Sequence, residues 1–319
     1  MSFQTITGGG AFTKQNINAI NANFAAVGGP DIWVRPQSGR DSSADGTYDS
    51  PFATIGGALA SRYCVPGKSI GLLGVTLEEV DGAIVNDITI WGMGNQPRQA
   101  TTSGAANGGG ATWLSPSGGT GSLLSINGQA WKVGNIYFNN SATGATTGCI
   151  KLTGGGDPPL TADAGHTQIL GNVFTGEANG LYINGGPGFL TIGGNTFYFF
   201  DSSGDCAILA GGSGGTGYGT TVEDNDFEAN LTHIKALSTA YGWNVRRNHM
   251  SYIKGGVTTV VFLDFTGGNQ NSIYQNVFDV DSGNGGIANM FILGTDPRAS
   301  ANVLSTAVTT TNFSWGDPA

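Results

Sequence analysis

The densest run of carboxylates in the chain is Glu223-Asp224-Asn225-Asp226-Phe227-Glu228. Side chains two apart on a β-strand share a face at about 6.5–7 Å. Asp226 and Glu228, or Glu223 and a neighbour on an adjoining strand, therefore have the spacing of two carboxylates that flank a glycosidic bond. Asp201 and Asp205 flank a Ser-Ser-Gly turn a little earlier and read as turn residues. Asp201, Asp224, Asp226 and Glu228 make the candidate catalytic set for acid and base work. The competing reading of the same run is a solvated face beside an ordinary bend. The densest basic run, Arg246-Arg247-Asn248-His249, has the simplest role of cations that answer the acids one strand earlier. His166, His233 and His249 stand apart from one another, which gives neither a zinc site nor a Ser-His-Asp arrangement. Asp41 and Asp45 sit in a polar loop without EF-hand spacing, so no metal is assigned.

Aromatic residues offer a different chemistry. Trp91, Trp113, Trp131, Tyr182, Tyr198, Tyr218, Tyr241, Trp243 and Tyr252 recur along the chain, and a ring laid flat on a polar surface holds the apolar face of a sugar. Most such rings serve the core. Trp243, Tyr241 and Tyr218, with Arg246 beside them, are the candidate binding residues. No glycine-rich segment follows a strand and opens a helix in the manner of a nucleotide site, so no cofactor is expected.

The elements that must position these residues show in a phrase that returns: an apolar β-former, two variable residues, Asn, one residue, then Phe. It reads Ile169-Leu-Gly-Asn172-Val-Phe174, Ile192-Gly-Gly-Asn195-Thr-Phe197, Val222-Glu-Asp-Asn225-Asp-Phe227, Val245-Arg-Arg-Asn248-His-Met250 and Ile273-Tyr-Gln-Asn276-Val-Phe278. A looser copy is Val133-Gly-Asn135-Ile-Tyr-Phe138. The steps are 195−172 = 23, 225−195 = 30, 248−225 = 23 and 276−248 = 28, which is one supersecondary unit repeated. Ile or Val before and Phe after suit half-buried strands, and Asn suits a one-residue left-handed bend between them. A single unit cannot bury its apolar face, so units stack, with Asn bonding to Asn and Phe lying on Phe. The structural ladder is thus Asn172, Asn195, Asn225, Asn248 and Asn276, with Phe174, Phe197, Phe227 and Phe278.

This phrase resembles the Asn ladders of the right-handed parallel β-helix of the pectate-lyase-like superfamily. The resemblance implies an all-β solenoid over residues 30–315, with an N-terminal cap at about 31–68 and a closing segment at about 300–319. Ser50-Pro51-Phe52-Ala-Thr-Ile55, followed by Leu59, resembles the Pro-Phe-x-Thr-Ile turn and capping helix of such proteins, with Ser50 as N-cap and Pro51 at the first helical position. In polysaccharide lyases of this fold a basic side chain removes a proton beside a uronate carboxylate, and Arg246 or Arg247 is the residue available for it. Those enzymes pair that base with an Asp-rich calcium site on adjacent coils, and no such run appears here.

Composition bounds the rest. Glycine is 55 of 319 residues, about twice the usual share of roughly 7%, with no three-residue period. Charged residues are 11% against roughly 25% for an average soluble domain, leaving a surface of Asn, Thr, Ser and Gly. A net charge of −9 disfavours nucleic acid and anionic membrane as partners. Cys64, Cys149 and Cys206 are too few and too widely spaced for a disulfide framework and read as buried thiols. The first residues lack a basic start and an apolar stretch, so no secretion signal is expected, and no apolar run is long enough to insert in a membrane.

Residues 11–27 carry Ile17, Ile20, Phe24 and Val27 at helical spacing, and Gly28-Gly29-Pro30 separates this helix from the body, which makes it either a lid on the solenoid or a tether to another chain. The segment 1–29 resembles the Asn-rich N-terminal ends of bacteriophage virion proteins, which implies an attachment or oligomerisation element that contacts other virion proteins. The expectation is a homotrimeric virion protein, like a phage tailspike or capsid-surface spike, whose β-helix contacts host surface polysaccharide or decorates the particle. The alternatives are a polysaccharide depolymerase, lyase or glycoside hydrolase, of the same fold, and an extracellular adhesin at the cell surface.

Overall fold

The computed structural model describes residues 29–83, 85–94, 110–154, 163–202, 204–212, 217–237, 240–252, 260–266, 268–280, 290–294, 297–306 and 310–313. The helix expected over 11–27 lies outside them, as do most of residues 97–110 and 157–165, whose sequence reads as two long loops. The described strands form three sheets of ten, ten and eight, and from Ser69–Leu72 to Asn302–Thr306 the chain visits them in strict rotation. A representative coil runs Thr191–Gly193 in the first sheet, Thr196–Tyr198 in the second and Ile208–Gly211 in the third, then returns to the first at Thr221–Glu223. Each strand pairs in parallel with its counterpart one coil on. The last pair of the second sheet, Asn302–Thr306 with Thr310–Phe313, is antiparallel. Three parallel sheets wound in rotation are a parallel β-helix, and at about 4.8 Å per rung ten rungs span about 40 Å.

The core follows from the repeating phrase. Ile70, Ile90, Val133, Ile169, Ile192, Val222, Val245 and Ile273 sit in one register column of the first sheet, and all are fully buried. The second sheet contributes a ring column. Phe138, Phe174, Phe197 and Phe227 stack with centroid separations of 5.2, 4.8 and 4.9 Å and near-parallel planes. Trp113 extends the stack at one end, and Met250 then Phe278 continue the column at the other. Such pairs add roughly 0.5–1.5 kcal/mol each beyond the area they bury.

The Asn ladder is present and longer than the phrase suggests. Asn172, Asn195, Asn225, Asn248 and Asn276 each donate from Nδ2 to the Oδ1 of the next, at 2.9–3.2 Å, ending on Asn302. Each Oδ1 also accepts the backbone amide of the previous ladder residue. Every Nδ2 donates a second time, to a backbone carbonyl such as that of Ile192 for Asn225. Two details differ from expectation. The left-handed residue of the bend is not the Asn but the one before it, namely Gly171, Gly194, Asp224, Arg247, Gln275 and Ala301. The Asn is instead the buried residue that closes the bend by bonding along the stack. In the looser copy, Asn135 occupies that left-handed position and Ile136 the ladder position, where its amide donates to Asn172 Oδ1. The closing segment, whose sequence has no spaced Asn-x-Phe phrase, carries the motif through Asn302, with Leu304 in the strand position of Phe278.

At the start of the solenoid the cap is a six-residue helix, Ile55–Ala60. Its N-cap is Thr54, whose hydroxyl accepts from the Gly57 amide, rather than Ser50. The shift has a local cause. Phe52 is held as a bridge beside Val34, and an extended residue there keeps Pro51 out of the helix. Asp41 accepts from the amides of Ala53 and Thr54 and from the Thr54 hydroxyl, and Asp45 from Thr47, so both carboxylates secure local backbone. Ile55 and Ala58 are buried and close the apolar interior that an open end would expose.

Candidate functional site

Of the expected catalytic carboxylates, Asp224 lies in the bend between the first two sheets and Asp226 and Glu228 on the second sheet, and cations of the next rung meet Asp224 and Asp226 as well as Glu223 on the first sheet. Arg247 grips both oxygens of Asp224 at 2.8 Å and also reaches Glu223. Arg246 donates to Glu223 at 2.7 Å and to the Tyr274 hydroxyl at 3.0 Å. His249 bridges Asp226 at 2.9 Å and Asp279 at 2.7 Å. The Arg247 guanidinium holds the Asp224 carboxyl below the usual carboxylate range, and hydrogen bonds to Asp226, then Asp279, hold His249 up at about 9. Asp224 and Asp226 are thus matched to partners of opposite charge, and Arg246 is committed to Glu223 and Tyr274. These residues form a rung-to-rung charge lattice of the kind the simpler reading gave. Glu228 follows on the same strand, in register with Tyr198 and Ser251.

Asp201 belongs to a different place, the turn from the second sheet into the third. There it lies near Asp205, the residue read from sequence as a turn filler. Asp205 is only 9% exposed and its Oδ2 has no hydrogen-bond partner. Burial first, then the charges of Asp201 and Glu177, push its carboxyl up to about 6. A carboxylic acid that keeps its proton toward neutral pH, with a second carboxylate nearby, is the pairing acid and base chemistry uses. The three cysteines are free and buried, and burial pushes the Cys149 and Cys206 thiols up to about 12, which leaves them unreactive. Among the described residues no group of His, Cys, Asp and Glu is arranged to hold a metal ion.

The aromatic candidates divide. Trp243 is fully buried, with Nε1 donating to the Gly217 carbonyl, so it is a core residue and offers no face to a ligand. Tyr218 and Tyr241 are 62% and 42% exposed, with ring centroids 6.3 Å apart on successive rungs. They stand where each coil turns from the third sheet into the first. That corner is built on a left-handed residue two positions before each strand: Gly67, Asp87, Ala130, His166, Phe189, Gly219, Gly242 and Gln270. Its amides chain the rungs together, as in Phe189 N–H to Tyr218 O and Gly219 N–H to Tyr241 O.

Two rings unread from sequence complete the row. His166 and Phe189 are exposed, and their rings stack at 5.2 Å with planes 13° apart. Phe189 lies over Gly219, where any Cβ would come within 3.1 Å of its ring. At the other end the Tyr241 hydroxyl donates to Gln270 Oε1 at 2.7 Å. The row therefore runs His166, Phe189, Tyr218, Tyr241, Gln270 over consecutive rungs. Beside it, on the outer face of the first sheet, runs the register column Gln168, Thr191, Thr221, Asn244, Ser272. A sequence signal existed: an aromatic or His next to Gly, just before each apolar strand, as in Gly165-His166, Gly188-Phe189, Tyr218-Gly219 and Tyr241-Gly242.

No protein family matches the chain, and no curated protein matches it. Among solved structures, a rhamnogalacturonan lyase is similar with a TM-score of 0.39 and 14% identity, over 86% of this chain and 68% of that one. A GH136 lacto-N-biosidase from Eubacterium ramulus is similar with a TM-score of 0.32 and 12% identity, over 92% and 70%. The parallel β-helix itself rests on the strand pairing described above.

Proposed function

We propose that this chain is a glycan-binding β-helix. The observation that carries the reading is the exposed pair Tyr218 and Tyr241 on successive rungs, beside a column of short neutral polar side chains. Sugars present apolar ring faces edged by hydroxyls, and this surface offers rings for the former and Thr, Asn, Ser and Gln for the latter. The winding is taken as right-handed, as crossovers between parallel strands nearly always are. The setting proposed from the sequence is a homotrimeric virion spike attached through residues 1–29 and meeting host surface polysaccharide. Light scattering at about three times the 32.6 kDa subunit mass supports the trimer, and a monodisperse monomer removes it. For the binding reading, the full chain is titrated against a panel of bacterial capsular and cell-wall polysaccharides. Binding that Tyr241→Ala weakens at least tenfold supports it; no binding across the panel ends it.

A second reading, depolymerase, is favoured by Asp205, a buried carboxyl without a partner on Oδ2 beside Asp201 and Glu177. Here Asp205 serves as the proton donor to the leaving oxygen and Asp201 as the second carboxylate. New reducing ends from a bound polysaccharide, lost in Asp205→Asn with binding retained, support it. Reducing ends that persist in that variant remove the assignment.

A further inference from the structure

We infer that the corner row from His166 to Gln270 is a platform for a single neutral polysaccharide chain lying parallel to the solenoid axis, with Phe189 as its central anchor. This rests on the glycan-binding reading above and adds the residues, the direction and the charge class of the ligand.

The inference starts from a conformation. Phe189 has φ +57° and His166 φ +59°, a region that bulky side chains enter only under strain. Nothing in the bend requires a side chain, because Gly219 and Gly242 make the same turn on the next two rungs. Phe189 is strained, and its ring is 60% exposed to water. Both features oppose stability, and the contacts the ring does make, with His166 and over Gly219, lie on the same exposed corner and not in the core. Strain held at an exposed ring points to a ligand. The stacked His166 and the bare Cα of Gly219 fix the orientation of that ring from either side, as a pre-set stacking surface would need.

Direction follows from spacing. Rungs rise about 4.8 Å each, comparable to the length of a pyranose unit, so a chain along the axis meets a new ring or amide at each step, whereas a chain lying across the axis meets one. The neighbouring column is equally spaced and carries no charge from Gln168 to Ser272. The column meets single cations only at its ends, Lys132 one rung before Gln168 and Arg298 one rung after Ser272, and Glu223 and Arg246, farther along two of its strands, pair with each other. A neutral polymer suits this strip. A polyanion would find no row of cations along it, and a flat apolar protein surface would leave the Thr and Asn column facing apolar groups.

The test uses the full chain with size-fractionated neutral oligosaccharides (cello-, manno- and malto-series) and the polysaccharide that binds best in the panel. Affinity should rise with chain length until the oligomer covers the row and then level off. Phe189→Gly should raise the thermal midpoint, since strain and exposed apolar area both fall, while weakening binding at least tenfold. Unchanged binding in Phe189→Gly, alongside loss in Tyr241→Ala, overturns the extended row and leaves the glycan reading standing. Loss of self-association in Phe189→Gly without loss of binding also overturns it, because the row is then a subunit contact. A preference for uronate polymers that collapses with salt removes the neutral class.

Discussion

Two corners of the same solenoid solve the same backbone problem with opposite side chains. Between the first and second sheets, the left-handed residue before each ladder Asn is small or polar, and the residue after it is a buried Asn bonded along the stack. Between the third and first sheets, the left-handed residue is, on two rungs, an exposed ring. The first corner stabilises the coil through its side chains. The second asks nothing of its side chains for folding, so the residues placed there answer to something outside the fold. A repetitive scaffold makes such a contrast readable, because each position has its own controls one rung above and one below.

The largest expected effect is at the first corner. Asn225→Ala leaves the Asn195 amide without its acceptor and removes the bonds from Asn195 Nδ2 to Asn225 and from Asn225 Nδ2 to the Ile192 carbonyl and Asn248. At about 1–3 kcal/mol for the buried amide left unpaired and roughly 1 kcal/mol for each of the other bonds lost, chemical denaturation should show a loss of at least about 3 kcal/mol. A loss under about 1 kcal/mol would mean that the ladder is not what holds that corner. Asn302→Ala, at the last rung, should lose less.

Next comes the buried acid of the turn into the third sheet. Burial raises Asp205 to about 6 from an unfolded value near 3.9. A raised folded value means that its contribution is intact below about pH 4 and lost as pH rises through 6. Asp205→Asn should therefore stabilise the protein at pH 7, by about 1–3 kcal/mol, and leave it little changed at pH 4. Equal stability of the two proteins across that window would contradict the burial described.

His233 sits in the core between Phe227 and Phe262, and burial pushes it down to about 3. Its folded value is depressed, so stability is present above the unfolded value near 6.5 and falls as pH drops from there toward 3. In His233→Phe the acid limb of a stability–pH curve should flatten by about 1–2 kcal/mol; an unchanged limb would place the acid sensitivity elsewhere. The smallest effect belongs to the exposed lattice. His249 should titrate near 9 by NMR and move toward 6.5 in Asp226→Asn, with little change in stability.

Much of the fold was legible because the ladder is written in residue types that do one thing. Asn172 to Asn276 and their Phe partners repeat at steps that only a stack explains, and the buried Ile and Val column follows from the same phrase. The exact bend residue was not legible, since Asn is both a left-handed former and a good stack-bonding amide, and only the backbone shows which property is used. Asn302 was hidden because the apolar position after it is Leu304 instead of Phe. For the candidate site, Tyr218 and Tyr241 were readable as aromatics but not separable from Trp243, because burial depends on which side of a one-residue bend a ring falls. Phe189 and His166 gave a weak signal through their glycine neighbours. The acidic run 223–228 was ambiguous in sequence for a physical reason: charge density marks a catalytic pair and a cross-rung ion lattice alike, and the partners, Arg247 and His249, lie 23 residues on. Asp205 looked like a turn residue because its burial comes from elements distant in sequence.

The most direct measurement is amide hydrogen exchange of the full chain with and without a saturating polysaccharide chosen from the panel. Binding along the corner row predicts added protection confined to the bends at residues 163–168, 186–191, 217–221, 240–244 and 268–272, on successive rungs. Protection centred on the turn holding Glu177, Asp201 and Asp205, or on the charge lattice from Glu223 to His249, would contradict it.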